Sequence, residues 1–141
     1  MAGKDCVTNE ATFNVAAEDN DKTSLLSYYR DLIHLRNEHS ALRVGSFIPT
    51  KNTNINVYSF VRQSKDETVL VVINLGKSEV SKYALVVPKS VLIGDIKGVV
   101  LFGDQALTFE KLGETDDFNG YTSHATLAPY STTIIQLQAA S

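Results

Sequence analysis

The chain has 141 residues, enough for one ordinary domain with a substantial core. Its 43% hydrophobic and 21% charged residues lie near the globular average, which argues against a disordered or membrane-embedded class. A net charge of −3 without any basic run argues against nucleic acid as a partner, and the single Cys6 can build neither a disulfide framework nor a cysteine-based zinc site.

Residues 1–19 read as a polar, irregular leader, and Met1-Ala-Gly-Lys-Asp5 carries no apolar run of the signal-peptide kind. Asn20-Asp21 offers short oxygen-bearing side chains for a helix start. Leu25, Tyr28, Tyr29, Leu32, Ile33 and Leu35 then recur at spacings of three and four, while Arg30, Asp31, Asn37 and Glu38 fill most of the other side. That spacing predicts an amphipathic helix over 20–40, ending near His39 and before Gly45.

From Val44 onward the period falls to two. Ile55–Arg62 alternates, and Thr68–Leu75 is a continuous β-branched run of the kind found in strands covered on both faces. Further strands are predicted at Tyr83–Val87, Gly98–Phe102, Ala106–Leu112, Thr122–Leu127 and Ser131–Leu137, with breaks at 63–67, 75–78, 88–90, 103–104, 113–120 and Pro129. The expectation is a mainly β fold over 41–141: an antiparallel β-sandwich of Greek-key type with about 7–8 strands, preceded by one helix.

Candidate chemistry is sparse. The acidic stretch Glu114-Thr-Asp-Asp117 reads as a solvated loop and fits no recognised calcium loop. His34 and His39 are five apart, so they do not share a helix face as a metal pair would, and His124 stands alone. All three read as structural or surface residues, and no catalytic, metal or cofactor site is assigned. Carbohydrate binding is the alternative class, since sugar rings stack on exposed aromatic faces. Its candidates are Tyr83, Phe118, Tyr121 and Tyr130, although the chain has no Trp.

Three blocks in order carry a resemblance. They are Ser24-Leu-Leu-Ser-Tyr-Tyr-Arg-Asp-Leu-Ile-His-Leu-Arg-Asn-Glu-His39 with the following Ala41-Leu-Arg-Val-Gly45, then Val69-Leu-Val-Val-Ile-Asn-Leu-Gly76, then Leu127-Ala-Pro-Tyr-Ser-Thr-Thr-Ile-Ile-Gln-Leu137. Together they resemble the α-amylase family (glycoside hydrolase family 13): the last helix of its (β/α)8 barrel, a hydrophobic strand ending in Asn, and the closing strand of its C-terminal domain. The resemblance implies a non-catalytic accessory domain that covers and stabilises the barrel of an α-amylase or α-glucosidase type parent. The family's catalytic Asp, Glu and second Asp lie before this helix in the family's order, so none is carried over. The barrel of the parent chain is the implied partner, with Leu25, Tyr29, Leu32 and Ile33 facing it or mediating self-association through the helix. The alternative is a module that contacts starch or maltooligosaccharides. Compartment stays open, being extracellular or periplasmic if the parent is secreted. Neither nucleic acid nor membrane is expected as a partner, since the longest apolar runs are too short to span a bilayer.

Overall fold

The computed structural model describes residues 14–91, 95–103, 109–114, 118–123 and 126–139. It divides into two compact units, 1–38 and 39–141. No described helix is long and apolar enough to cross a membrane.

The first unit holds two helices, α1 (Val15–Asn20) and α2 (Leu25–Glu38). Helix α1 lies inside the stretch expected to be irregular. Its start is fixed by Asn14, whose side chain accepts a hydrogen bond from the Ala17 N–H at 2.7 Å. The start of α2 falls later than the expected Asn20-Asp21. Asp21 is used in a local turn, accepting from the Thr23 N–H and hydroxyl, and the Ser24 hydroxyl instead accepts from the Ser27 N–H at the head of α2. Ser24 also donates to the Glu18 carbonyl at 2.7 Å and so ties the two helices together. The Arg30–Asp19 ion pair spans them at 2.6 Å but is half exposed, so it contributes little.

The second unit opens with a short helix absent from the sequence reading, α3 (Ser40–Val44), separated from α2 by the extended backbone of His39. Ala41 within it is fully buried. Gly45 ends it by donating its N–H to the Ala41 carbonyl, and a Cβ at Gly45 would collide with that same oxygen. The Ala-Leu-Arg-Val-Gly spacing is therefore a steric requirement of this turn.

Nine strands follow among the described residues: β1 (Ser46–Pro49), β2 (Lys51–Asn52), β3 (Val57–Gln63), β4 (Thr68–Asn74), β5 (Tyr83–Pro88), β6 (Ile96–Phe102), β7 (Phe109–Glu114), β8 (Phe118–Ser123) and β9 (Thr132–Ala139). They form two antiparallel sheets, β1-β3-β4-β9-β6 and β2-β5-β8-β7. The core between them joins Val61, Leu70, Val72 and Ile135 of the first sheet to Tyr83, Leu85, Val87 and Tyr121 of the second. The expected antiparallel sandwich is the fold.

Strand β4 is central, flanked by β3 and β9. Val69, Leu70, Val71 and Val72 are all buried, and Ile73 is half-buried. Two short strands, β1 and β2, were not foreseen. Strand β1 is only four residues long, lies at a sheet edge and ends in Pro49, where a missing N–H costs no ladder bond. The expected strand Thr122–Leu127 starts earlier, as β8. Gly113 and Gly120, read as part of a loop, face each other in the β7–β8 hairpin beside a register shift, where glycine accommodates the bulge. Leu127 instead forms an isolated bridge with Val80. The expectations for residues 1–12, for Thr115–Asp117 of the acidic stretch and for His124 lie outside the described residues.

Candidate interface

In a sandwich the outward face of each sheet is ordinarily polar. The five-stranded sheet departs from this. Register places Phe47 opposite Arg62, Pro49 opposite Phe60, Tyr58 opposite Ile73, Phe60 opposite Val71 and Arg62 opposite Val69, all on the face away from the core. On β9 and β6 the same face carries Thr132, Ile134, Gln136, Val99 and, past a register shift, Phe102. Three rings meet there, with Phe47 and Phe60 centroids 5.1 Å apart and Tyr58 and Phe60 centroids 5.6 Å apart. Helix α3 packs on β3 and β4, and Arg62 Nε donates to the Ala41 carbonyl at 3.4 Å. Beyond α3 the apolar surface stays open: Phe47 is 50% exposed and Tyr58 47%.

One carboxylate organises the α3 end of this face. Glu67, in the β3–β4 turn, accepts at Oε2 from the Ala41 N–H (3.0 Å) and the Ser40 hydroxyl (3.1 Å), while Oε1 lies 2.8 Å from His39 Nδ1. Ser40 and Ser64 hydroxyls meet at 2.7 Å. Burial pushes the Glu67 carboxyl up, but the Ala41, His39 and Ser40 donors outweigh it and hold it below the usual glutamate range. The His39–Glu67 contact was not foreseen, because its partners are separated by 28 residues.

A second buried polar anchor sits at the opposite end of β4. Asn74 is fully buried, and its Nδ2 donates to the carbonyls of Ser78 (2.9 Å), Ala128 (3.0 Å) and Leu127 (3.3 Å), while Oδ1 accepts from the Gly76 N–H. It therefore joins the β4–β5 loop to the turn before β9. In that turn the Ser131 N–H bonds the Ala128 carbonyl, placing Pro129 and Tyr130 at its centre. Tyr130 has φ 53, a left-handed conformation that favours glycine, and its side chain is 70% exposed.

The aromatic candidates for sugar stacking separate on burial. Tyr83 and Tyr121 are core residues, 1% and 2% exposed, and offer no ring face to a ligand. Their β5 and β8 positions point into the layer between the sheets, which corrects the expectation for both. The Phe118 side chain lies outside the described residues. Tyr130 alone of the four presents an open ring among the described residues. On α2, Leu25, Tyr29 and Ile33 form an exposed row at i, i+4 and i+8, and Leu32 beside them is half-buried.

Known proteins share this fold. The family profile described as "Alpha amylase, C-terminal all-beta domain" matches residues 47–138. Alpha-amylase 2 of Dictyoglomus thermophilum is 35% identical over 63 residues, covering 45% of this chain and 11% of that protein. The trehalose synthase/amylase TreS of Mycobacterium tuberculosis (strain CDC 1551 / Oshkosh) is 35% identical over 77 residues, covering 52% of this chain and 13% of its own. Among solved structures, an isomaltulose synthase mutant from Erwinia rhapontici NX5 aligns with a TM-score of 0.60 at 27% identity, over 93% of this chain and 21% of that one. The chain thus spans only a small part of the proteins it matches. It belongs to the family of C-terminal all-β domains of α-amylase-type enzymes, glycoside hydrolase family 13.

Proposed function

We propose that this chain is the accessory end of a longer α-amylase-family glycoside hydrolase, with α2 as the last helix of the catalytic barrel and the sandwich as a cover that stabilises it. The observation that carries the reading is the family match over 47–138, joined to the small share of each relative that the chain spans. Two further features support it. The row Leu25, Tyr29 and Ile33 is apolar and exposed on a helix, where burial against a partner would be worth about 1.5–3 kcal/mol per large side chain. The sandwich also carries a second apolar face, which an isolated two-sheet domain does not need. The domain is non-catalytic, and cleavage of α-glucosidic bonds belongs to the upstream barrel.

The test is deletion of residues 45–141 from the parent enzyme. The barrel's thermal midpoint should fall and its inactivation should accelerate, with kcat/KM on a short maltooligosaccharide nearly unchanged at low temperature. An equally stable truncated enzyme would contradict the covering role. A second reading, contact with α-glucan, is favoured by the open ring of Tyr130. Isothermal titration with maltooligosaccharides separates the two: heat that disappears in Tyr130→Ala supports glycan binding, and no heat leaves the covering role alone.

A further inference from the structure

At the Asn74 end of β4 three loops are sewn together by their backbones. The Leu75 N–H donates to the Asn56 carbonyl at 2.8 Å, and the Tyr130 N–H donates to the Gly76 carbonyl at 3.2 Å. Asn54 Oδ1 accepts from the Asn56 N–H at 2.9 Å and fixes the first of these loops. Gly76 lies so close to Asn56 that a Cβ there would stand 3.1 Å from the Asn56 side chain. The loops before β3, after β4 and before β9 therefore form one tip, which Asn74 ties to the sandwich. That tip turns Ile55, Leu75 and Tyr130 to water, Ile55 almost completely. Tyr130 is the most telling of them. It follows Pro129 in a turn closed by the Ser131 N–H on the Ala128 carbonyl, and in a type II turn its left-handed position goes to glycine or asparagine. Holding a bulky residue at φ 53 costs backbone strain, its ring is not used in the core, and strain of this kind gathers where ligands are held.

We propose that this three-loop tip is an α-glucan subsite, a location that rests on the glycan-contact reading above. The Tyr130 ring is the stacking platform, Ile55 and Leu75 are flanking apolar contacts, and the exposed Asn56 amide is a hydrogen-bond partner for sugar hydroxyls. A pyranose has an apolar C–H face that packs on an aromatic ring and a rim of hydroxyls that suits an amide, which both donates and accepts. The tip offers both kinds of group side by side, because Gly76 is the shared neighbour of Asn56 and Tyr130. A protein partner matches the tip less well. Three apolar side chains fall short of the roughly 1,000 Å² that a stable protein interface buries, and the exposed Asn56 and Lys77 interrupt them. The backbone bonds already order the loops, so binding need not do so. Since the platform spans three loops, it takes more than one sugar unit.

Titration of the 141-residue chain with glucose, maltotriose and maltoheptaose tests this, read by calorimetry and by the ring-proton resonances of the tyrosines. Affinity should grow with sugar length, and the shifting ring should be Tyr130 while the buried Tyr83 and Tyr121 stay in place. Tyr130→Gly removes the ring at a backbone angle that glycine adopts freely. Its unfolding midpoint should equal or exceed that of wild type, while maltoheptaose affinity falls roughly tenfold through loss of the ring. Tyr130→Phe should keep most of the affinity, and Asn56→Ala should lose several-fold through the missing amide. In the longer polypeptide that carries this chain, the Tyr130 ring should respond in the same way. A ring that is silent there but shifts in the 141-residue chain means that the tip is covered in the parent and overturns the subsite. Maltoheptaose binding at full strength in both Tyr130→Gly and Asn56→Ala also overturns it, and leaves glycan contact standing at another place. No binding by the wild type at any sugar length overturns both the subsite and the glycan-contact reading.

Discussion

At the scale of single residues, the two polar anchors of the sandwich do different work. Asn74 bonds four backbone groups from a fully buried position; the Leu127 and Ala128 carbonyls keep the Val80 and Ser131 N–H groups, so truncation leaves the Ser78 carbonyl and the Gly76 N–H to find other partners. Asn74→Ala should cost about 1–3 kcal/mol, the range for a buried hydrogen-bonding group left unsatisfied, read as a lower denaturant midpoint. A loss below the error of the measurement would mean that water replaces the amide. Glu67 is linked to pH. Its folded pKa lies below its unfolded value, so its stabilisation is present in full above the ordinary glutamate range and is lost as pH falls through the depressed folded value. Glu67→Gln should therefore lower stability by about 1–2 kcal/mol near neutrality, as expected for loss of charge-assisted hydrogen bonds. The gap to wild type should close in acid. A gap that is the same at both ends of the titration would remove Glu67 as the source.

Elements add what residues cannot. Strand β4 is buried on both faces because β3 and β9 flank it, the second sheet covers one side and α3 reaches the other. Val71→Asp places an unpaired carboxylate at a position 5% exposed. The cost of several kcal/mol should unfold a domain whose whole stability is of order 5–15 kcal/mol. A cooperative unfolding transition retained by that variant would show that the outward side of β4 tolerates water. Helix α2 is the opposite case, with Leu25, Tyr29 and Ile33 open. Apolar rows of this kind find partners, so the 141-residue chain should self-associate through α2 in sedimentation and Leu25→Glu/Leu32→Glu should return it to monomer. A wild type that stays monomeric at high concentration would exclude the helix as a contact.

For the molecule as a whole, absence of activity is itself a measurable expectation. A retaining glycosidase needs two carboxyl groups about 5 Å apart in a cleft. The described Glu67 is instead engaged by the Ala41 N–H and by the Ser40 and His39 side chains. The 141-residue chain should release no reducing sugar from starch. Any turnover that scales with the purified chain and survives further purification would break the accessory reading.

Periodicity alone made the helix around 25–38 and the strands β3, β4, β5 and β9 legible, because a 3.6-residue or two-residue repeat reports directly which face is covered. The resemblance named the family through Ala41-Leu-Arg-Val-Gly45, the Asn-ended strand and the Pro129-Tyr130 turn, and each of these turns out to be a geometric necessity: no room for a Cβ, four backbone groups to bond, a left-handed residue. The short strands β1 and β2 escaped, and the β7–β8 hairpin was legible only in part, through the overlap of Ala106–Leu112 with β7 and of Thr122–Leu127 with β8, since few residues and glycine carry little pattern. What only the tertiary structure decided was exposure. Tyr83 and Tyr130 are the same residue type and both were candidates for sugar stacking, yet one lies in the core and the other open on a turn. Likewise, Glu67 found His39 and Ala41 only because the β3–β4 turn folds back onto the start of α3. Sequence periodicity tells how many sides of an element are covered, but contacts between distant segments decide which atoms do the covering.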